Sequence, residues 1–258
     1  MDLGLKDKVA IITGGGTGIG RKTAELLLNE GAKVVINGRR ADVLKSTLKA
    51  IDPSGEHSAY VAGDIADPAT SKQLVAKTVD QFGGVDVLIN NTGKFGPKPF
   101  MDYTPDEIQS YLDVIVKGTL YPVQAVAPEM KKRGKGAIVN TGSMWALAAV
   151  EPTPSTAYSA AMAGRHALTK NLAVELASDQ IRVNAVAPAV VETPIYNTFL
   201  PDKEVPKVLN GFNEFHPLGR NGQPKDVAQA IIYLASEAAS WITGVVLPVD
   251  GGATARLR

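Results

Sequence analysis

A glycine-rich turn between a short apolar run and a helical pattern constrains this chain more than any other feature. Residues 9–12 predict a buried strand, and the helical pattern begins near Arg21. Glycine permits the positive φ angles of a tight turn, and the start of a helix directs unpaired N–H groups at an anion. The turn therefore predicts a phosphate site, whose candidate residues are Gly14, Gly16, Thr17, Gly18, Ile19 and Gly20.

Strand and helix patterns alternate along the rest of the chain. Apolar runs that predict further strands lie at 33–36, 58–65, 85–89, 136–143 and 181–188, and helical patterns lie at 42–51, 68–82 and 105–130. No linker or low-complexity tract interrupts this alternation. The pattern predicts an α/β fold with a doubly wound parallel sheet, in which residues 1–258 form a single dinucleotide-binding domain.

Composition excludes several classes of function. The 27 Lys and Arg residues balance 26 Asp and Glu residues, so neither nucleic acid nor a membrane surface is an expected partner. The chain has no cysteine, and its three scattered histidines give no metal-ligand spacing. Neither a signal peptide nor an apolar membrane segment is recognisable, so we expect a cytoplasmic protein that binds small molecules and no metal.

Two arginines follow the second predicted strand. A dinucleotide fold that binds NAD places an acid there, against the ribose hydroxyls. This chain instead has Arg39 and Arg40, whose paired donors suit a ribose 2′-phosphate. The sequence therefore favours NADP(H) as cofactor, and the alternative is that both arginines merely solvate a loop.

Taken in order, the motifs resemble those of the short-chain dehydrogenase/reductase family, in particular members like the 3-oxoacyl-ACP reductases. The resemblance rests on the glycine turn, on Asn-Asn-Thr-Gly at 90–93, on Ser143, on Tyr158 and on the segment at 241–252. It implies that Ser143 orients the substrate and that Tyr158 is the catalytic tyrosine beside the cofactor. It also implies a homotetramer, and further cofactor-binding residues at Asp64, Ile65, Asn91, Thr92, Gly93, Val191 and Thr193.

Two positions depart from the family's catalytic tetrad. Ile115 stands where relatives have an asparagine, and Met162 stands where they have a lysine four residues after the tyrosine. Ile115 also reads as a core residue on an apolar face with Leu112 and Thr119. Arg165 is the nearest cation on the helix, and it either stands in for the lysine or lies at an interface or on the surface.

An aromatic segment follows the last of these motifs. Residues 194–218 are rich in proline and glycine at their ends, as a mobile substrate lid would be. We expect the lid to close over an apolar or aromatic carbonyl compound, although its aromatic residues could equally pack under their own loop. The aromatic candidates for the pocket are Tyr196, Phe199, Phe212, Phe215, Trp145 and Phe95.

The sequence thus predicts an NADP(H)-dependent oxidoreductase that reduces a ketone or a related C=O or C=N group by hydride transfer. The alternative is an NADP(H)-binding protein of the same fold whose redox activity is lost or altered, because two of four tetrad residues are apolar. That alternative covers regulatory binding, non-redox catalysis, and substitutions introduced into a competent enzyme.

Overall fold

The sheet of the computed structural model, which describes residues 2–256, contains seven parallel strands. The strands are β1 (Val9–Thr13), β2 (Lys33–Gly38), β3 (Ser58–Ala62), β4 (Val87–Asn90), β5 (Gly136–Thr141), β6 (Ile181–Pro188) and β7 (Val246–Val249). Their order across the sheet is β3-β2-β1-β4-β5-β6-β7. This order confirms the predicted doubly wound parallel sheet.

Helices connect the strands and cover both faces of the sheet. They are α1 (Gly18–Asn29), α2 (Ala41–Ile51), α3 (Pro68–Phe82), α4 (Pro105–Tyr111), α5 (Gly118–Lys132), α6 (Thr156–Glu175), α7 (Val205–Gly211) and α8 (Pro224–Ala235). A single π-helical turn, Leu112–Lys117, joins α4 to α5. The predicted helix at 105–130 is therefore interrupted, because this turn holds one residue more than an α-helical turn.

The continuous apolar runs arise because each strand is buried on both sides. Successive residues point to opposite faces, so Ile11 and Leu88 pack in one layer while Ile12 and Ile89 pack in the other. The first layer lies against α3 and α5, and the second lies against α1 and α8. A run without polar alternation is what such a two-sided sheet requires.

The order of strands reverses between β1 and β4, which pair in parallel with Thr13 opposite Asn90. From β1 the chain winds outward through β2 and β3, and from β4 it winds outward the other way. A crevice forms where the connections diverge, beyond the carboxyl ends of the strands. The glycine turn follows β1 there, and the Asn-Asn-Thr-Gly segment follows β4.

Two local expectations were wrong. Helix α1 begins at Gly18 rather than near Arg21, because Thr17 already has extended backbone and acts as the N-cap. Ile115 is fully buried, but Leu112 is 39% exposed. The two do not share an apolar face, because the π-helical turn changes the angular spacing on which that expectation rested.

Candidate active site

The glycine turn forms a cradle closed tightly by its surroundings. Gly14 and Gly18 have φ angles of +64° and +53°, which only glycine adopts readily. A Cβ atom on Gly20 would come within 2.6 Å of the Asn91 amide nitrogen, so the helix start and the β4 loop need this glycine to pack. Thr17 makes no side-chain cap and α1 has no acid in its first turn. The helix N-terminus is therefore available to an anion.

The two arginines lie at the outer end of the same crevice. Arg39 and Arg40 are exposed and line a groove of about 1020 Å³. Within residues 2–256 neither guanidinium has a hydrogen-bond or ion-pair partner, so both are free to meet a phosphate. Asp64 is exposed and accepts the Ala66 N–H at 3.0 Å, while Ile65 is buried in the core at the wall of the groove.

The loop after β4 is fixed to the end of β1. The Thr13 hydroxyl accepts the N–H groups of Asn91 and Thr92 at 3.0 and 3.1 Å. Asn91 donates to the Gly14 carbonyl and accepts from the Thr141 hydroxyl, both at 3.2 Å. The buried Thr92 hydroxyl has no partner among the described residues, and Gly93 is exposed beside it. The cradle and this unpartnered hydroxyl fit a dinucleotide lying across the turn.

The segment after β6 supplies the remaining candidate cofactor residues. Val191 is buried and pairs with Gly222 in an isolated parallel bridge. Thr193 precedes the helical turn Pro194–Thr198, and it lies against Gly18, whose added Cβ would meet the Thr193 side chain at 3.3 Å. Val191 and Thr193 thus reach the cleft from the side opposite the Asn91 loop.

Ser143 and Tyr158 meet in the inner cleft, which has a volume of about 330 Å³. Ser143 follows β5, and its hydroxyl accepts the Trp145 N–H at 3.2 Å. Burial raises the pKa of the Tyr158 phenol, whereas the Ser143 hydroxyl and the charge of Arg165 lower it, with a net increase. The phenol is therefore protonated at neutral pH and can act as an acid.

Neither of the two residues that depart from the family's tetrad carries a charge. Ile115 is fully buried, and Met162 is 4% exposed at the cleft wall. Its neutral thioether occupies the place of the lysine. The cation whose charge lowers the pKa of Tyr158 therefore comes from another position on α6.

Arg165 is that cation, and it lies in the interior rather than at the surface or an interface. Its side chain is fully buried. The guanidinium donates to the Thr119 hydroxyl at 2.8 Å and to the carbonyls of Thr141, Thr92 and Ile115 at 2.7, 2.9 and 3.1 Å. Burial lowers the pKa of Arg165 to about 10, which leaves it charged at neutral pH.

The cleft beside Tyr158 is aromatic. The Phe95 ring packs edge-on against the Tyr158 ring with centroids 4.9 Å apart, and it also contacts Trp145 and Phe199 at 5.8 and 5.6 Å. Phe215 packs on the far side of Trp145 at 6.5 Å. Phe95, Trp145 and Tyr196 therefore line the cleft, while Phe212 and Phe215 pack behind it.

Two site residues were not anticipated from the sequence. His166 is buried, and its Nε2 accepts the Ser143 N–H at 3.3 Å. The ammonium of Lys94 lies 4.8 Å above the Tyr111 ring and donates to Ser110 at 2.9 Å. Lys94 carries a local signal, because it directly follows the Asn-Asn-Thr-Gly segment. His166 carries none, because its contact depends on how α6 packs against β5.

Comparison with known proteins decides the family. A family model described as enoyl-(acyl carrier protein) reductase matches residues 14–254. L-rhamnose 1-dehydrogenase (NAD(P)(+)) of Sphingomonas sp. strain SKA58 is 37% identical over 250 residues, which cover 96% of each chain. This chain belongs to the short-chain dehydrogenase/reductase family. The family resemblance drawn from the motifs is thus confirmed.

Other relatives of this short-chain dehydrogenase/reductase agree. The 3-oxoacyl-[acyl-carrier-protein] reductase FabG of Thermotoga maritima is 37% identical over 250 residues, 96% of this chain and 98% of the relative. The structure of a short-chain type dehydrogenase/reductase from Mycobacterium marinum superposes with a TM-score of 0.92 at 31% identity, covering 99% and 98% of the two chains. These relatives are oxidoreductases, so the comparisons do not favour the non-redox alternative.

The lengths and compositions of the helices also bear on membrane insertion. No helix in residues 2–256 combines the length and apolar composition needed to cross a bilayer. The expected cytoplasmic location stays a prediction.

Proposed function

We propose that this short-chain dehydrogenase/reductase is an NADP(H)-dependent carbonyl reductase. The supporting observation is that the Ser143 and Tyr158 cleft opens into the groove of the glycine turn and the arginines. Gly14, Gly93 and Phe95 line both spaces. A single dinucleotide held by the turn would therefore reach both Arg39 and Tyr158.

In carbonyl reduction, the protein's own residues transfer a proton to the oxygen of the substrate carbonyl. When bound, NADPH would supply the hydride that reduces the carbonyl carbon. Ser143 donates a hydrogen bond to the carbonyl oxygen, and Tyr158 gives that oxygen its phenolic proton. The raised pKa of Tyr158 suits this direction, because an acid must be protonated before the reaction begins.

NADP(H) is the proposed cofactor because the two residues that follow β2 in the groove are arginines and not acids. Arg39 and Arg40 offer unengaged paired donors there, the arrangement that suits a phosphate. Asp64 also borders the groove, but it already accepts a backbone N–H and belongs to the next strand's loop. The cofactor-binding roles of the turn and of Val191 and Thr193 follow from the same placement.

An apolar or aromatic carbonyl compound is the proposed substrate. Phe95, Trp145 and Tyr196 line the cleft, and an alkyl or aryl group would bury its surface against them. Residues 194–218 form the proposed lid. They contain only short helical turns, including α7, and they place Ile195 and Thr198 at the cleft mouth.

The homotetramer that the family resemblance implies is kept as a proposal, and the far edge of the sheet supports one interface between copies of the chain. Strand β7 is only partly buried, unlike the inner strands, and Trp241 just before it is 99% exposed. A parallel strand normally needs cover on both faces, and a second copy of the chain would provide it.

The test is NADPH consumption against a panel of ketones, with cofactor binding measured separately by NADPH fluorescence. We expect reduction of aryl or cyclic ketones, and we expect Tyr158→Phe to lose at least a hundredfold in kcat while it still binds NADPH. Ser143→Ala should lower kcat in the same way. Tight NADPH binding without turnover of any carbonyl would refute the proposed activity while leaving the cofactor assignment intact.

A further inference from the structure

The Arg165 guanidinium is a buried charge without a counter-ion. It is fully buried, and no carboxylate lies within ion-pair distance of it in the described part of the chain. Its four partners are three carbonyls and one hydroxyl, all neutral. Burying an unpaired cation is costly even when its donors are satisfied, so such a residue usually has a function beyond packing.

The position of Arg165 on α6 directs its charge toward Tyr158. Seven residues are close to two helical turns, so Arg165, Met162 and Tyr158 lie on one side of the helix. Long helical side chains point back toward the N-terminus, which carries the guanidinium in the direction of the tyrosine. The guanidinium donates to the carbonyls of Ile115 and Thr141, and Thr141 lines the cleft two residues before Ser143.

The other titratable groups around Tyr158 are neutral or already engaged. Tyr111 and Tyr196 face the phenol from α4 and from the turn after β6, and burial raises the pKa of both. Burial lowers the pKa of His166 to about 4, so this ring is uncharged at neutral pH. Two other cations line the cleft with Tyr158: Lys94, whose ammonium is bound to Ser110 and the Tyr111 ring, and Arg40, which the proposed function assigns to the cofactor phosphate.

We propose that Arg165 is the fixed positive charge of this active site and stabilises the Tyr158 phenolate in place of the family's lysine. This inference rests on the proposed carbonyl reduction. Arg165 touches neither reacting atom in this arrangement and acts through Tyr158. When Tyr158 gives its proton to the carbonyl oxygen, the phenolate left behind gains the interaction. The same interaction favours the phenolate that accepts a proton during alcohol oxidation.

The test compares Arg165→Met with the unaltered chain and with Arg182→Met as a matched control. Arg182 is a half-buried arginine that also donates to three carbonyls, those of Leu234, Ser236 and Ile242, but at the opposite end of the sheet. We measure kcat and KM in both directions from pH 7 to 10, together with melting temperature. We also titrate Tyr158 by tyrosinate absorbance in the NADP⁺ complex, with Tyr158→Phe as the blank.

For Arg165→Met we expect the oxidation profile and the Tyr158 titration to move at least one pH unit upward. Phenolate falls about tenfold per unit below the pKa, so oxidation kcat at a fixed pH should drop at least tenfold. Arg182→Met should lose thermal stability without moving either curve. If Arg165→Met loses stability but keeps both curves in place, Arg165 is only a structural clamp and the inference is wrong.

A second variant guards against loss of folding. In Met162→Lys with Arg165→Met, the charge returns to the position of the family's lysine and the like-charge pair is avoided. We expect its Tyr158 titration to stay within half a unit of the unaltered chain. An upward shift of one unit or more would overturn the inference. The absorbance titration needs no turnover, so failure of the proposed reductase activity would be seen separately.

Discussion

Acid should destabilise this protein through His166. The ring is 6% exposed, and its Nε2 accepts the Ser143 N–H. Burial, and then the charges of Arg165 and Lys170, lower its pKa from 6.5 to about 4. The ring packs directly against Gly142, where an added Cβ would lie 2.6 Å from its Cδ2 atom.

The sign of the effect follows from which state binds the proton. Below pH 6.5 the unfolded chain protonates His166, but the folded protein does not until about pH 4. The free energy of unfolding therefore falls as the pH falls through this window. At about 1.4 kcal/mol per pKa unit, a shift of this size removes about 3 kcal/mol by pH 4.

The assay is urea unfolding at pH 7.5, 6, 5 and 4, at one protein concentration, for the unaltered chain and His166→Gln. Glutamine offers an oxygen to the Ser143 N–H and does not titrate. Carboxylates with lowered pKa values, such as those of Asp226 and Asp250, also destabilise the protein in acid, but both proteins share them. The free energy of unfolding of the unaltered chain, minus that of His166→Gln, should fall by about 3 kcal/mol from pH 7.5 to pH 4. Parallel curves would show that His166 is not held neutral by burial.

Three further predictions concern the cofactor and the direction of the reaction. Arg39→Ala with Arg40→Ala should weaken NADPH binding at least tenfold and leave NADH affinity unchanged, because charge-assisted hydrogen bonds contribute about 1.5–3 kcal/mol each. Equal losses of affinity for both cofactors would show that the arginines do not bind the 2′-phosphate. Gly18→Val should abolish NADPH fluorescence enhancement, because its φ of +53° disfavours a β-branched residue, whereas retained binding would contradict the cradle. Initial rates at pH 7 should favour ketone reduction over alcohol oxidation, because burial keeps Tyr158 protonated; rapid oxidation at pH 7 would show that another base operates.

The sheet could be predicted because its determinants are local. A run such as Ile181–Pro188 is mostly apolar, and the strand has those bounds in the structure. The glycine turn could be placed for the same reason, since its φ angles limit which residues fit. The doubly wound class then followed from the alternation of strands and helices, which permits few right-handed arrangements.

The geometry around the catalytic pair could not be predicted, because it depends on contacts between distant elements. The π-helical turn at Leu112–Lys117 changes which side of the helix each residue occupies, and helical periodicity assumes a constant spacing. The burial of Arg165 depends on carbonyls from the β4 loop, from β5 and from the π-helical turn. No window of sequence around Arg165 contains those acceptors.

The same contacts explain why residues 115 and 162 are apolar and why residue 165 is a buried arginine. Ile115 contributes its carbonyl to Arg165 while its side chain fills the core, so no polar side chain is needed at that position. Met162 leaves the space beside Tyr158 uncharged, and a lysine there would put a second buried cation next to Arg165 without an acid to balance either. Like charges in a dry interior repel strongly, so the chain can hold one of the two cations but not both at low cost. If Arg165 replaces the family's lysine as proposed, the apolar residues at 115 and 162 accompany a positive charge that has moved to position 165 and has not been lost. The site then keeps the charge that carbonyl reduction through Tyr158 would use.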